Sequence, residues 1–132
     1  MTVEEAQTAL RDRANRAVRM LAFEGLSRIV LRTPVDTGRA RGNWNVGAGS
    51  PDPRVNPVGF DRAGTATISR GQSVLQAAAP DQTLYITNSL PYIVPLEAGW
   101  SKQSPAGMVD VTLAELQPLA AEIAAKIRSG TF

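Results

Sequence analysis

Apolar residues recur at helical spacing through the first 32 residues, and arginines fill many of the positions between them. This pattern predicts one long amphipathic helix. Thr2 and Glu5 have the spacing of a capping box at its start, and Pro34 ends it because the residue before a proline is driven out of the helical region. The sequence leaves open a break near Gly25. At 1.5 Å per residue such a helix is about 45 Å long, so we expect another element to cover part of it.

A short strand and a long irregular segment are predicted next. Residues 43–46 are a strand candidate, and residues 47–60 contain too many Gly, Pro, Asn and Asp residues for regular structure. Because long loops in small domains are commonly functional, we predict an extended arm or hairpin tip that becomes ordered against a neighbouring molecule. Residues 61–79 then predict a weaker helix, with Asp61 as its cap.

The rest of the chain contains the best strand pattern and a second amphipathic helix. Residues 83–87 alternate and are rich in β-branched and aromatic types, whereas residues 91–111 contain several prolines and glycines and predict an ordered loop. Thr112 and Glu115 have the spacing of another capping box, followed by a stripe of leucines and isoleucines. Pro118 predicts a small kink in this helix.

The order of these elements predicts one α+β domain spanning residues 1–132. The long N-terminal helix and the C-terminal helix pack on a small antiparallel sheet, with a long extended loop at residues 47–60. A chain of this length can bury a core without metals or disulfides. It has no internal repeat, and no apolar run approaches the roughly 20 residues that cross a bilayer. The first residues lack the features of a secretory signal, so we expect the protein to stay where it is made.

The composition argues against much of enzyme chemistry. The chain has no cysteine and no histidine, which excludes thiol nucleophiles, disulfides, ordinary zinc sites and the commonest general base. We find no phosphate loop, dinucleotide fingerprint or metal cluster, and predict neither a cofactor nor catalytic activity. Residues 1–70 carry 11 Arg and 7 acids, whereas residues 71–132 carry 3 basic residues and 5 acids. This modest bias is more typical of a protein-contacting face than of a nucleic-acid footprint.

Residues 33–44, TPVDTGRARGNW, contain an Asp-Thr-Gly tripeptide of the kind found in aspartic proteases. Those enzymes need two aspartates that share a proton, and this chain has one such tripeptide. We therefore interpret it as a turn in which Asp36 accepts backbone N–H bonds and Gly38 has a positive φ. A hydrolase that uses Asp36 or Glu97 is the least supported alternative.

Seven residues are candidates for contact with another subunit or partner. Arg39 and Arg41 alternate before Trp44, so an extended backbone would direct both guanidinium groups to one face, toward phosphate, Glu97 or the acids of an adjacent subunit. A tryptophan beside polar loop residues is typical of an interface anchor. The full set is Arg39, Arg41, Trp44, Tyr92, Glu97, Trp100 and Lys102. The alternative function is nucleic-acid binding by the arginine-rich N-terminal part.

Nearly the whole chain, from the first helix to the last, resembles the minor tail protein Z group of lambda-like long-tailed phages, and more loosely the phage tail-completion and head–tail neck proteins. The resemblance is most specific in two stretches. They are residues 33–44, here called the first motif segment, and residues 84–109, LYITNSLPYIVPLEAGWSKQSPAGMV, the second motif segment. In that family the Asp-Thr-Gly-Arg turn leads into a strand. After the next strand comes a Tyr-x-x-x-Leu-Glu-x-Gly pattern, which is matched here by Tyr92, Leu96, Glu97 and Gly99.

The resemblance implies a virion component without catalytic activity that completes the head-proximal end of the tail and joins it to the head. Its partners would be further copies in a ring, six by the symmetry of long tails, together with tail terminator or tail tube proteins and head-side connector proteins. DNA passing through the ring is a further implied partner, and a membrane is not. The implied location is the tail or neck of the virion, after assembly in the host cytoplasm.

Overall fold

The computed structural model describes all 132 residues. Five helices and two strands follow one another in the chain: α1 (Val3–Arg32), α2 (Arg39–Gly42), β1 (Asn45–Ala48), α3 (Thr65–Ala77), β2 (Leu84–Thr87), α4 (Ile93–Glu97) and α5 (Val109–Ser129). This architecture confirms the predicted α+β class with a small antiparallel sheet.

The first helix is continuous through residue 25, which decides the alternative that the sequence left open. Thr2 and Glu5 form the predicted capping box, and the helix ends at Arg32, with Thr33 as its C-cap before Pro34. Gly25 is tolerated inside the helix because α5 packs against it: a Cβ at this position would lie 3.1 Å from a methyl group of Leu116. The glycine therefore permits close approach of two helices rather than a break.

The sheet has two antiparallel strands, in which Asn45 pairs with Thr87 and Ala48 with Leu84. The predicted strand at residues 83–87 is confirmed. The other strand begins two residues later than predicted, because residues 39–42 wind into α2 and Asn43 closes that helical turn.

The core lies where α1 and α3 meet the sheet, around Leu26, Val30, Trp44, Val46 and Leu75. On its other side α1 is covered by α5, which runs antiparallel to it. Two contacts establish this direction: the N-terminal part of α5 lies against the C-terminal half of α1, and the last residue of the chain bonds Arg16. α1 is therefore the central element, with α3 and α5 packed along different faces.

The predicted capping box of the last helix is wrong, because α5 begins at Val109, before Thr112. The Thr112 hydroxyl donates back to the carbonyl of Met108 at 2.6 Å, which is the bond of a residue already inside a helix. Glu115 forms ion pairs with Arg28 and Arg32 of α1. The two side chains thus stabilise packing and not a helix start.

Residues 49–64, here called the long loop, form neither helix nor strand and are ordered against their own chain. The irregular segment was predicted at 47–60, but residues 47 and 48 belong to β1, and residues 61–64, predicted as the start of a helix, precede α3. Asn43 donates its amide to the carbonyl of Asn56 at 3.1 Å and accepts the N–H of Asn56 at 2.7 Å. Thr87 donates its hydroxyl to the carbonyl of Asp52 at 2.5 Å. Within this chain the segment is thus a loop folded back on the domain, and its contact with a neighbouring molecule stays a prediction.

Asp61 caps α3 as predicted, although it lies three residues before Gly64, which occupies the N-cap position. Its carboxylate accepts the N–H of Gly64 at 3.0 Å and the N–H and hydroxyl of Thr67 at 2.8 and 2.7 Å. These bonds supply partners for the free N–H groups of the first helical turn.

Candidate partner interface

The two motif segments, separated by 39 residues in the chain, lie side by side in the fold. The Gln103 amide makes a reciprocal pair with the backbone of Val35: it accepts the N–H at 2.8 Å and donates to the carbonyl at 3.0 Å. Asn88 donates to the carbonyl of Ala40 at 2.9 Å. Both amides belong to the second motif segment and bond the backbone of the first, so side chains fix the relative position of the two segments.

A cavity of about 210 Å³ opens between the segments, and we call it the junction groove. The first motif segment contributes residues 34–40 to its wall. The second contributes Tyr92, Leu96, Ser101 and Gln103. The groove combines hydroxyl, amide and guanidinium groups with apolar surface, a mixture suited to a side chain or loop of another macromolecule.

The turn at Asp36-Thr37-Gly38 is partly as predicted. Gly38 has φ +90°, and a Cβ there would lie only 2.6 Å from the backbone nitrogen of Arg62, so no other residue fits without strain. The Asp36 carboxylate, however, accepts no backbone N–H. Thr37 performs that function, since its hydroxyl accepts the N–H of Arg39 at 3.3 Å. The carboxylate of Asp36 remains exposed on the groove wall.

Arg41 has an internal role, which corrects its predicted place in an interface. Its guanidinium donates to the carbonyls of Leu31 and Thr33 at the end of α1, and to that of Arg62 in the long loop, at 2.8 to 3.2 Å. Burial lowers the pKa of Arg41, and nearby Asp61 offsets part of this effect. With these carbonyls as partners, Arg41 joins α1 to the long loop.

Arg39 does not share a face with its neighbour at 41, because α2 is helical where an extended backbone was expected. Its side chain lines the junction groove, and its Nε atom is buried without a hydrogen-bond partner. Arg39 makes no ion pair in this chain. Of the two predicted arginines, it is the one placed to meet another molecule.

Trp44 belongs to the core, and its prediction as an interface residue is wrong. The side chain is only 4% exposed and packs with Leu26 and Val30. Its Nε1 donates to the Thr33 hydroxyl at 2.8 Å, and that hydroxyl donates to the carbonyl of Ile29 at 2.6 Å. The indole thus reaches a partner at the end of α1, as a buried tryptophan requires.

Glu97 caps α5 from the preceding helix. One carboxylate oxygen accepts the N–H groups of Met108 and Val109, each at 2.7 Å, and the other accepts that of Asp110 at 3.1 Å. Burial raises the pKa of Glu97, but the three N–H bonds outweigh it and hold the pKa below its ordinary value. Glu97 is therefore an ionised structural cap, in contact with neither arginine of the first motif segment.

Four residues of the second motif segment have exposed side chains and are together called the tryptophan surface, namely Tyr92, Val94, Trp100 and Lys102. Trp100 is 78% exposed, and Lys102 has no carboxylate within ion-pair distance. Val94 was not predicted as a site residue, because the sequence pattern gave no indication that this stretch winds into a helical turn. Of the seven predicted residues, Arg39, Tyr92, Trp100 and Lys102 remain candidates for contact.

No three Asp, Glu, His or Cys side chains come close enough together to hold a metal ion. The helices are also too short or too polar to traverse a lipid bilayer.

The fold and the site define an α+β domain with an exposed aromatic surface beside a polar groove. No protein-family profile, no curated protein and no solved structure matches this chain. The resemblance to the minor tail protein Z group therefore stays a prediction from the sequence.

Proposed function

We propose that this chain is a structural virion protein of a long-tailed phage or prophage. It completes the head-proximal end of the tail and mediates head–tail joining as a homo-oligomeric ring, and it has no catalytic activity. Its partners are further copies of itself, the end of the tail, and the head-side connector.

The main support is the convergence of the two motif segments on one place in the fold. Both carry the family resemblance, and the Gln103 amide joins them through its two bonds to Val35. A shared function would require the two segments to act together, and their adjacency at the junction groove is what such a function needs.

The tryptophan surface supports a role in binding. Large aromatic side chains at the centre of a contact contribute more binding energy than most residues, and Trp is among the types enriched there. The side chain of Trp100 is exposed, and so is the apolar side chain of Val94 in the same segment. A surface of this kind favours a partner that removes it from water.

The alternative of nucleic-acid binding loses part of its basis. Several of the arginines on which it depends are occupied within the chain: Arg28 and Arg32 pair with Glu115, and Arg54 with Asp52. Fewer guanidinium groups are left for phosphate. A DNA affinity that falls steeply with salt would nevertheless favour this alternative over the proposed one.

A functional test is assembly of tails with heads. Purified protein is added to tails assembled without it, and the fraction that then joins heads is counted by electron microscopy. We expect the wild type to restore joining and Trp100→Ala to reduce it at least about tenfold, the loss typical of a strong interface residue. Val58→Ala, which truncates another exposed apolar side chain in the long loop, is the matched control. Equal joining by both variants would exclude the tryptophan surface from the contact.

A further inference from the structure

The first turns of α1 extend beyond the helices that pack on it. α5 runs antiparallel along α1 and the chain reaches its last residue beside Arg16, so nothing from α5 covers the preceding turns. No residue from 3 to 16 is buried. We call residues 3–12 the α1 overhang, about 15 Å of helix. Val3 and Leu10 are exposed on it, the latter by 53%.

The overhang is acidic as well as apolar. It carries Glu4, Glu5 and Asp12 against the single cation Arg11. Glu5 is held in the capping box with the backbone of residue 2, whereas Glu4 makes no ion pair or hydrogen bond. Val3 and Leu10, two helical turns apart, lie on nearly the same side of the helix. Glu4 lies to one side of this apolar pair.

A groove of opposite charge lies between α1 and α3. It has a volume of about 390 Å³, and we call it the α1–α3 groove. Its wall is formed by two cations, three apolar side chains and two amides, namely Arg16, Arg19, Met20, Phe23, Leu75, Gln72 and Gln76.

Two polar groups of this groove, the Arg19 guanidinium and the Gln72 Oε1 atom, make no hydrogen bond within the chain. Arg19 makes no hydrogen bond or ion pair, while Arg16 bonds the carbonyl of Phe132 at 3.3 Å and lies 5.0 Å above its ring. The Gln72 Oε1 atom is buried without a hydrogen-bond partner. Arg19 is therefore the charged group of the groove that is free to pair with another molecule.

We propose that the α1 overhang of one copy lies in the α1–α3 groove of a second copy. The charges are complementary, acidic on the overhang and basic in the groove. Leu10 packs against the apolar side chains of Met20 and Phe23, and Glu4 lies beside Arg19.

This contact joins two different surfaces of one chain, so it is head-to-tail. Contacts of this type close into a ring when the rotation between copies permits, and otherwise extend into a filament. The inference rests on the self-association in the proposed function, for which it names the surface. It does not depend on the role of the protein in a tail.

The test is a charge exchange in the full-length protein. Glu4→Lys leaves the Thr2–Glu5 capping box in place, and Arg19→Glu leaves the contact of Arg16 with Phe132 in place. Association is measured by sedimentation at low and high salt. We expect each single variant to weaken association about tenfold, and the double variant to return to within about threefold of the wild type, because the exchanged charges again attract.

Two α5 variants, Glu122→Lys and Arg128→Glu, are the controls because they make the same charge changes elsewhere. Circular dichroism and thermal unfolding verify that every variant is folded. Single variants that match these controls while the oligomer persists would overturn the inference and leave the proposed function intact. A wild type that binds tails as separate copies without contact between them would overturn the inference alone. A wild type that stays monomeric at every concentration and does not bind tails would overturn both.

Disulfide trapping tests the pairing directly, because the chain has no native cysteine. We expect a mixture of Leu10→Cys and Met20→Cys proteins to form the mixed cross-linked dimer, and each protein alone to form little. Efficient cross-linking of Leu10→Cys with itself would show two overhangs packed on each other, which contradicts the proposed contact.

Discussion

Replacement of Glu97 by alanine removes the group that caps α5. Three backbone N–H groups lose their acceptor, and they differ in access to water: Met108 is fully buried, whereas Asp110 is exposed. Water can therefore replace the carboxylate at Asp110 but not at Met108. One buried N–H without a partner costs about 1–3 kcal/mol, and a lost helix cap about 1 kcal/mol. We expect Glu97→Ala to lower the free energy of unfolding by about 2–3 kcal/mol.

The assay is urea unfolding followed by circular dichroism. Glu97→Gln keeps one acceptor oxygen, so we expect roughly half the loss seen with alanine. The control is Glu122→Ala, an exposed α5 residue that pairs only with Lys126, for which we expect a change within about 0.5 kcal/mol. If Glu97→Ala and the control were equally stable, the cap would not hold α5 in place.

The same carboxylate predicts a pH dependence. Burial raises the pKa of Glu97, but the N–H bonds from residues 108–110 outweigh it, so the folded-state pKa lies below the unfolded value of about 4.3. Its stabilising contribution is complete above the unfolded pKa and is lost as the pH falls through the folded pKa. The stability difference between wild type and Glu97→Gln should therefore be largest near neutral pH and shrink below about pH 4. A constant difference down to pH 3 would contradict the assignment.

Three further predictions follow from single contacts, each measured by the same unfolding assay. Trp44→Phe keeps the ring in the core but loses the indole hydrogen bond, and should cost about 1–2 kcal/mol; no change would mean that the bond is not formed. Gly38→Ala places a Cβ against the Arg62 backbone and should lower the free energy of unfolding by about 2 kcal/mol or more. Gly130→Ala is also at positive φ but has open space around it, so it should lower this free energy by only about 1 kcal/mol. Equal losses for the two variants would refute the steric argument. Trp100→Ala should leave stability within about 0.5 kcal/mol, and a larger loss would show that this side chain packs within the domain.

The helices and the better strand were predictable because their patterns are local. The stripe of α1 and its cap at Thr2 lie within one stretch of sequence, and so does the alternation in residues 83–87. The start of α5 was not predictable in this way, because its cap comes from Glu97, more than ten residues earlier and in another helix. Thr112 and Glu115 have the spacing of a capping box but make other contacts.

The candidate site was predicted only in part, because contacts between separate parts of the chain decide which of its residues are buried. Hydropathy places Trp44 and Trp100 in one class, yet one is buried and the other exposed. Trp44 packs against Leu26 and Val30 of α1 and bonds the Thr33 hydroxyl, contacts that the composition around a tryptophan does not indicate. Arg41 likewise finds its carbonyl partners at a helix end, which a strand-like alternation cannot indicate.

The most direct test of the proposed function is the mass of the protein in solution, measured by light scattering alone and after mixing with tails that lack it. Our account predicts either the mass of a closed ring or a monomer that becomes bound to tails in a fixed number of copies. A monomer that ignores tails at every concentration would contradict it. In that case a salt-dependent affinity for DNA would be the next property to measure.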